Sequence, residues 1–81
     1  MMKLFLISQA QNNTHDYYDS AVVAAADAAA AALIDPDTGK PINWDSAWHW
    51  CSGPMYVTVR YIGDAAANVN AGVVCASYHA S

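Results

Sequence analysis

Residues 21–34 are small and apolar almost without interruption, broken once by Asp27 and stopped at Asp35-Pro36. This run constrains the fold more than any other feature, because it permits two incompatible readings and because alanine fills little space. Propensity favours one long helix over residues 17–34, since Ala is the best helix former and Ser20 is placed to cap it. The alternative is a strand through residues 18–24, followed by a helix that Asp27 caps. Adjacent Val22 and Val23, beside Tyr17 and Tyr18, lean toward the strand, because β-branched and aromatic side chains suit a pleated surface. Asp27 then supplies the acid that a helix N-terminus attracts, and residues 28–34 make about two turns. Asp35 ends them, since the residue before a proline is pushed out of the helical region. Strand followed by helix is the preferred reading.

The remaining pattern is mostly that of strands. Residues 3–8 form a short apolar run, apolar on both faces, and are expected to be central in a sheet. Residues 9–16 are rich in Asn, Gln and Thr and read as a loop. Residues 37–41 carry turn chemistry, and residues 44–50 are an aromatic segment expected to make one helical turn before Ser52-Gly53-Pro54. Residues 55–62 are the clearest strand: Met55, Val57, Val59 and Tyr61 alternate with Tyr56, Thr58 and Arg60. Gly63-Asp64 ends that strand, and residues 72–79 form the last one. The order β-β-α-β-β predicts an α+β fold, a small antiparallel or mixed four-stranded sheet with one Ala-rich helix packed on one face.

Composition decides how such a fold is filled. Eighty-one residues make one domain, residues 1–81, in which a single core supplies about 3–5 kcal/mol net. The chain is 56% hydrophobic and 12% charged, which excludes disorder, yet alanine dominates that total and a buried methyl removes little surface from water. Three tryptophans and five tyrosines must therefore carry much of the packing.

Net charge is −4, and every acid is an aspartate. The cations Lys3, Lys40 and Arg60 are too scattered for phosphate neutralisation, so direct nucleic-acid binding is not expected. The acidic surface either faces a basic partner or serves solubility alone. Residues 2–7 are too short for a leader's apolar region, and Asp27 interrupts the alanine run, so neither a leader nor a membrane span is expected. Cys51 and Cys75 make no disulfide framework, and a reducing cytoplasm is the default compartment. Cysteines, histidines and aspartates can always be paired on paper, but no catalytic signature and no Gly-rich phosphate loop is present, so an enzyme is not expected. His49, Cys51, Cys75 and His79 lack the closely spaced ligand pairs of zinc sites, so neither metal nor cofactor is expected.

Two clusters are candidates for recognition. His15, Asp16, Tyr17, Tyr18 and Asp19 gather acids and aromatics near a loop, where tyrosine gives contact area at low entropic cost. Trp44, Trp48 and Trp50 form the second; Trp44 and Trp48, four apart, share a face if the segment is helical. A core this poor in Leu and Ile also needs such rings as a plug, with a third ring left to reach the surface.

The opening Met2-Lys-Leu-Phe-Leu-Ile-Ser-Gln9 and Tyr18-Asp-Ser-Ala-Val-Val-Ala-Ala25 resemble segments of short phage and prophage proteins. So do Val57-x-Val59-x-Tyr61-Ile-Gly63 and the closing Gly72-Val-Val-Cys-Ala-Ser-Tyr78. The resemblance covers about half of the chain and implies a phage-encoded accessory protein similar to anti-CRISPR proteins, which bind a Cas subunit or surveillance complex and block access to DNA. The expectation is thus an inhibitor in the host cytoplasm that meets a basic surface through Asp16, Tyr17, Tyr18 and Asp19, with Trp44, Trp48 and His49. The competing expectation is a homodimeric or larger interaction module that pairs its aromatic patch and a strand edge with another copy.

Overall fold

The structure is a computed structural model, and it describes residues 2–12, 17–46 and 48–79. Four strands form one antiparallel sheet: β1 (Lys3–Gln9), β2 (Tyr17–Ala25), β3 (Val57–Asp64) and β4 (Gly72–His79), in the order β3-β1-β2-β4. One helix, α1 (Ala28–Ala31), lies between β2 and β3 in sequence. The β-β-α-β-β reading therefore holds, with every strand pair antiparallel and β1 in the interior of the sheet as its apolarity required.

Period-two alternation divides the sheet into two faces. Phe5, Ile7 and Gln9 of β1 and Ala21, Val23 and Ala25 of β2 are buried on a covered face. Leu4, Leu6 and Val22 point the other way and are only half-buried. On this open face Leu6 lies between Val22 and Arg60, and Val22 is paired in turn with Cys75. Ile62 and Val74, both exposed, are extra residues at bulges, where β3 slips against Leu4/Phe5 and β4 against Val22/Val23.

The alanine run resolves into strand and helix as preferred. Asp27 caps α1, its Oδ1 accepting the Ala30 amide at 2.8 Å. The helix is one turn, shorter than the two expected. The Leu33 and Ile34 amides donate three residues back, to Ala30 and Ala31, which tightens the helix end. Leu33 O then accepts the Ile42 amide, Asp35 N donates to Lys40 O, and Ile34 bridges Pro41. The proline stop and this closed turn draw residues 33–35 out of the helix. Gly39, at φ 75°, completes the turn; a Cβ there would lie 3.2 Å from Val73 N.

Two further local expectations fail. Residues 44–46 and 48–50 form turns and bends rather than a helix; Asn43 organises the first of these by accepting the Asp45 amide on Oδ1 and the Ser46 amide on its carbonyl. Met55 and Tyr56 belong to a 3-10 turn, Pro54–Tyr56, so β3 begins two residues later, and Met55 is 78% exposed instead of facing inward. Pro54, which cannot donate to a sheet ladder but suits a first helical position, accounts for the change.

The aromatics do fill the covered face. Trp50 and Cys51 are fully enclosed in one cluster with Phe5, Ile7, Ala21, Val23, Ala25, Ala31 and Ile34, and Trp44, Tyr18 and Val59 pack against its edge. Trp50 is the largest enclosed side chain, yet its Nε1 finds no acceptor among the described residues. Trp50→Ala is expected to cost about 3–5 kcal/mol, comparable to the whole net stability of a core this size. Trp50→Phe keeps a ring in place and discards the unpaired donor, so it should remain folded with a smaller loss. Denaturant titration followed by far-UV circular dichroism checks both, and equal losses would show that the indole does not act as a packing element.

Candidate functional site

Where β1 ends and β2 begins, the loops on the covered side enclose a cleft of about 260 Å³ lined by Asn12, Tyr17, Trp44, Asp45, Trp48, Trp50, Cys51 and Ser52. Its walls are tied by side-chain bonds to distant backbone. Gln9, buried on β1, donates from Nε2 to Tyr18 O and to the carbonyl of Asn12, and its Oε1 accepts the Asn12 amide at 2.8 Å. Asn12 Nδ2 reaches Trp50 O at 2.9 Å, and Gln11 Oε1 accepts the Ser52 amide at 2.7 Å. Loop 9–12 is thereby fixed to segment 50–52, and the cleft is held open by bonds already made.

The structure separates the residues that the sequence grouped together. Tyr17 lines the cleft, with Trp44 and Trp48 opposite it in the aromatic segment. Asp19 is the extra residue of a bulge in β2, exposed, and its carboxylate accepts the Ser20 hydroxyl at 3.5 Å. That bulge also turns Tyr18 inward, against the strict alternation that would have left it on the open face. Asp16, like His15, lies outside the described residues. Trp48 is 71% exposed, whereas Trp44 is half-buried and Trp50 enclosed, so the three tryptophans divide between surface and core.

Tyr18 and His49 belong to a second arrangement beside the cleft. The Tyr18 hydroxyl donates to Asp37 Oδ1 at 2.8 Å, and His49 Nε2 stands 3.8 Å from Asp37 Oδ2. The Tyr18 ring lies 4.8 Å from Tyr78 and 6.0 Å from His49, whose other side meets Trp48 edge-on at 4.5 Å. The Tyr18 amide donates to His49 O at 3.0 Å. His49 therefore acts as a post that holds Trp48 in place, and Asp37 joins turn 35–41 to the aromatic segment.

Sequence reasoning missed Asp37, Asp45, Asn12 and Tyr78. Asp37 was read only as turn chemistry, and Asp45 carried a signal in its place beside Trp44. A second cleft, of about 360 Å³, lies against α1 and includes Met2, Ala30, Leu33 and Pro41. It is wholly apolar in its side chains and has nothing to orient a ligand.

Burial pushes the Cys51 thiol up from its ordinary range, against the direction that would activate a nucleophile, and its Sγ lies 3.4 Å from Gly53 O. Cys75 is exposed on the opposite face of the sheet, and both thiols are free. No three His, Cys, Asp or Glu side chains come together as a metal site among the described residues. No described helix is long and apolar enough to cross a membrane. Comparison with protein-family models, with curated proteins and with solved structures finds no match for this chain.

Two outcomes follow from these environments. The Asp37 hydrogen bond, with burial and the Asp37 charge behind it, raises Tyr18 from 10.0 to about 12. Because folding favours the neutral phenol, this contribution is fully present below about pH 10 and is lost as pH rises through about 12. NMR titration of the tyrosine ring carbons should show Tyr18 ionising late, and Asp37→Asn should bring it back toward the ordinary range. Alkylation by iodoacetamide should modify Cys75 at once in native protein and Cys51 only after unfolding; mass spectrometry reads the difference, and equal rates would contradict the burial of Cys51.

Proposed function

We propose that this chain is a phage-encoded inhibitor that binds a basic surface of a host nucleoprotein complex and blocks its access to DNA. The observation that carries this reading is the aromatic cleft edged by Asp45, a carboxylate with no hydrogen-bond or ion-pair partner among the described residues, on a chain of net charge −4. Lys3 lies at the far end of the sheet, and neither Lys40 nor Arg60 lines the cleft, so no lysine or arginine of the chain lines it. A surface of this kind is attracted to Lys and Arg normally reserved for phosphates, and exposed Trp48 supplies an anchor of the type that dominates binding energy. In its specific form the proposal is an inhibitor of the anti-CRISPR kind, with a Cas subunit or surveillance complex as partner in the host cytoplasm. The inhibitor acts by occupation and not by catalysis, in keeping with the inert state of Cys51.

A second reading rests on the open face of the sheet. Leu4, Leu6 and Val22 are half-covered there, and Ile62 and Val74 are exposed, a surface that suits association with another copy.

Purified chain added to a purified surveillance complex should reduce DNA binding. The inhibition should weaken as salt rises from about 0.1 to 0.5 M and be relieved by excess target DNA. Trp48→Ala with Asp45→Asn should remove it while the fold is retained. Salt-insensitive binding that leaves DNA access intact would refute the mechanism. Light scattering on the same sample decides the second reading, which a strict monomer rejects.

A further inference from the structure

We propose that the aromatic cleft is a receptor for one arginine side chain projecting from the partner's surface. The inference rests on the reading that the chain acts by binding, and it names the chemistry that the cleft accepts. Size sets the first limit: about 260 Å³ admits a single side chain and falls below the usual range of sites for drug-sized molecules and cofactors.

The inventory of free groups sets the second. Three of the cleft's amide donors are already engaged, Asn12 Nδ2 on Trp50 O, Asn12 N on Gln9 Oε1 and Ser52 N on Gln11 Oε1. Among the lining residues Asp45 alone carries a formal charge, and its carboxylate stands beside the aromatic surface of Tyr17, Trp44 and Trp48. Aromatic faces with one unpaired negative charge are the complement of a cation, since ring quadrupoles and carboxylate attract it together. The carboxylate repels phosphate, and a neutral sugar would leave its charge uncompensated.

Arginine fits better than lysine. Its planar guanidinium stacks on indole while its fork of N–H groups bonds a carboxylate, whereas an ammonium keeps its hydration and presents a point charge. The receptor is preorganised: the His49 ring holds Trp48 at 4.5 Å, and loop 9–12 is tied to segment 50–52 by two hydrogen bonds and braced internally by a third. Trp48, otherwise 71% exposed, gains the cover that its size calls for.

The intact chain titrated with the peptide acetyl-Gly-Arg-Gly-amide provides the test, with NMR of the tryptophan indole N–H groups as the readout. Saturable shifts of Trp44 and Trp48 are expected at about millimolar affinity. Replacing arginine by lysine should weaken binding, and replacing it by neutral citrulline should weaken it at least about tenfold. Asp45→Asn should weaken the arginine peptide about five- to tenfold, and Trp48→Ala, at an exposed position, should do so without altering the circular dichroism. Equal binding of the citrulline peptide, the absence of saturable shifts, or saturation by methyl glucoside instead would overturn the proposal. Inhibition of a host complex without arginine-peptide binding removes the receptor and leaves the inhibitor reading standing. Arginine binding without inhibition supports the receptor and removes that reading.

Discussion

The covered face of this sheet has to be filled by side chains from far away in sequence. Ala21 and Ala25 alternate with Val23 along β2, which leaves the sheet shallow where most sheets carry larger aliphatic groups. Trp50, with Cys51 beside it, enters that hollow together with Ile34 and Ala31. The aromatic segment is thereby committed: Trp50 is drawn in, the chain on either side is pulled against the end of β2, and Trp44 and Trp48 are left at the rim. The cleft is thus a by-product of how the core is completed. A leucine-rich β2 would need no such plug, and it would have no such rim.

The same dependence explains which parts of the structure were legible in sequence. Strand periodicity is a local property, so β1, β2 and β4 could be read directly, as could the Asp27 cap, whose side chain bonds only three residues ahead. The length of α1 was not legible, because it is set by the turn that closes between Asp35 and Lys40 and by the bridge from Ile34 to Pro41. The start of β3 was misplaced for a related reason: Met55 fits the alternation of the strand, but Pro54 opens a 3-10 turn in front of it.

The candidate site was less legible than the fold. Tyr17, Trp44 and Trp48 were recognisable as aromatics with surface potential, but four-residue spacing brought the two tryptophans together for the wrong reason, since they share a cleft without sharing a helix. Tyr18 looked like a contact residue and is instead tied into the fold by Asp37 and His49. A bulge at Asp19 breaks the alternation that would have left Tyr18 on the open face, and a single inserted residue has no signature in composition or hydropathy. The acids are dispersed accordingly: Asp37 is engaged within the molecule, Asp19 stands apart, and among the described residues Asp45 alone is both in the cleft and uncommitted.

Both outermost strands carry a bulge, at Ile62 in β3 and at Val74 in β4. An unpaired strand at the rim of a sheet is a ready template for another chain, and amyloid-like stacking needs that template to be flat and regular. One extra residue in each rim strand interrupts the row of amide and carbonyl groups and adds local twist, so neither rim presents a long register for another strand to copy. In a sheet that leaves leucine, isoleucine and valine near the solvent, these two irregularities oppose the edge-to-edge stacking that such side chains would otherwise favour.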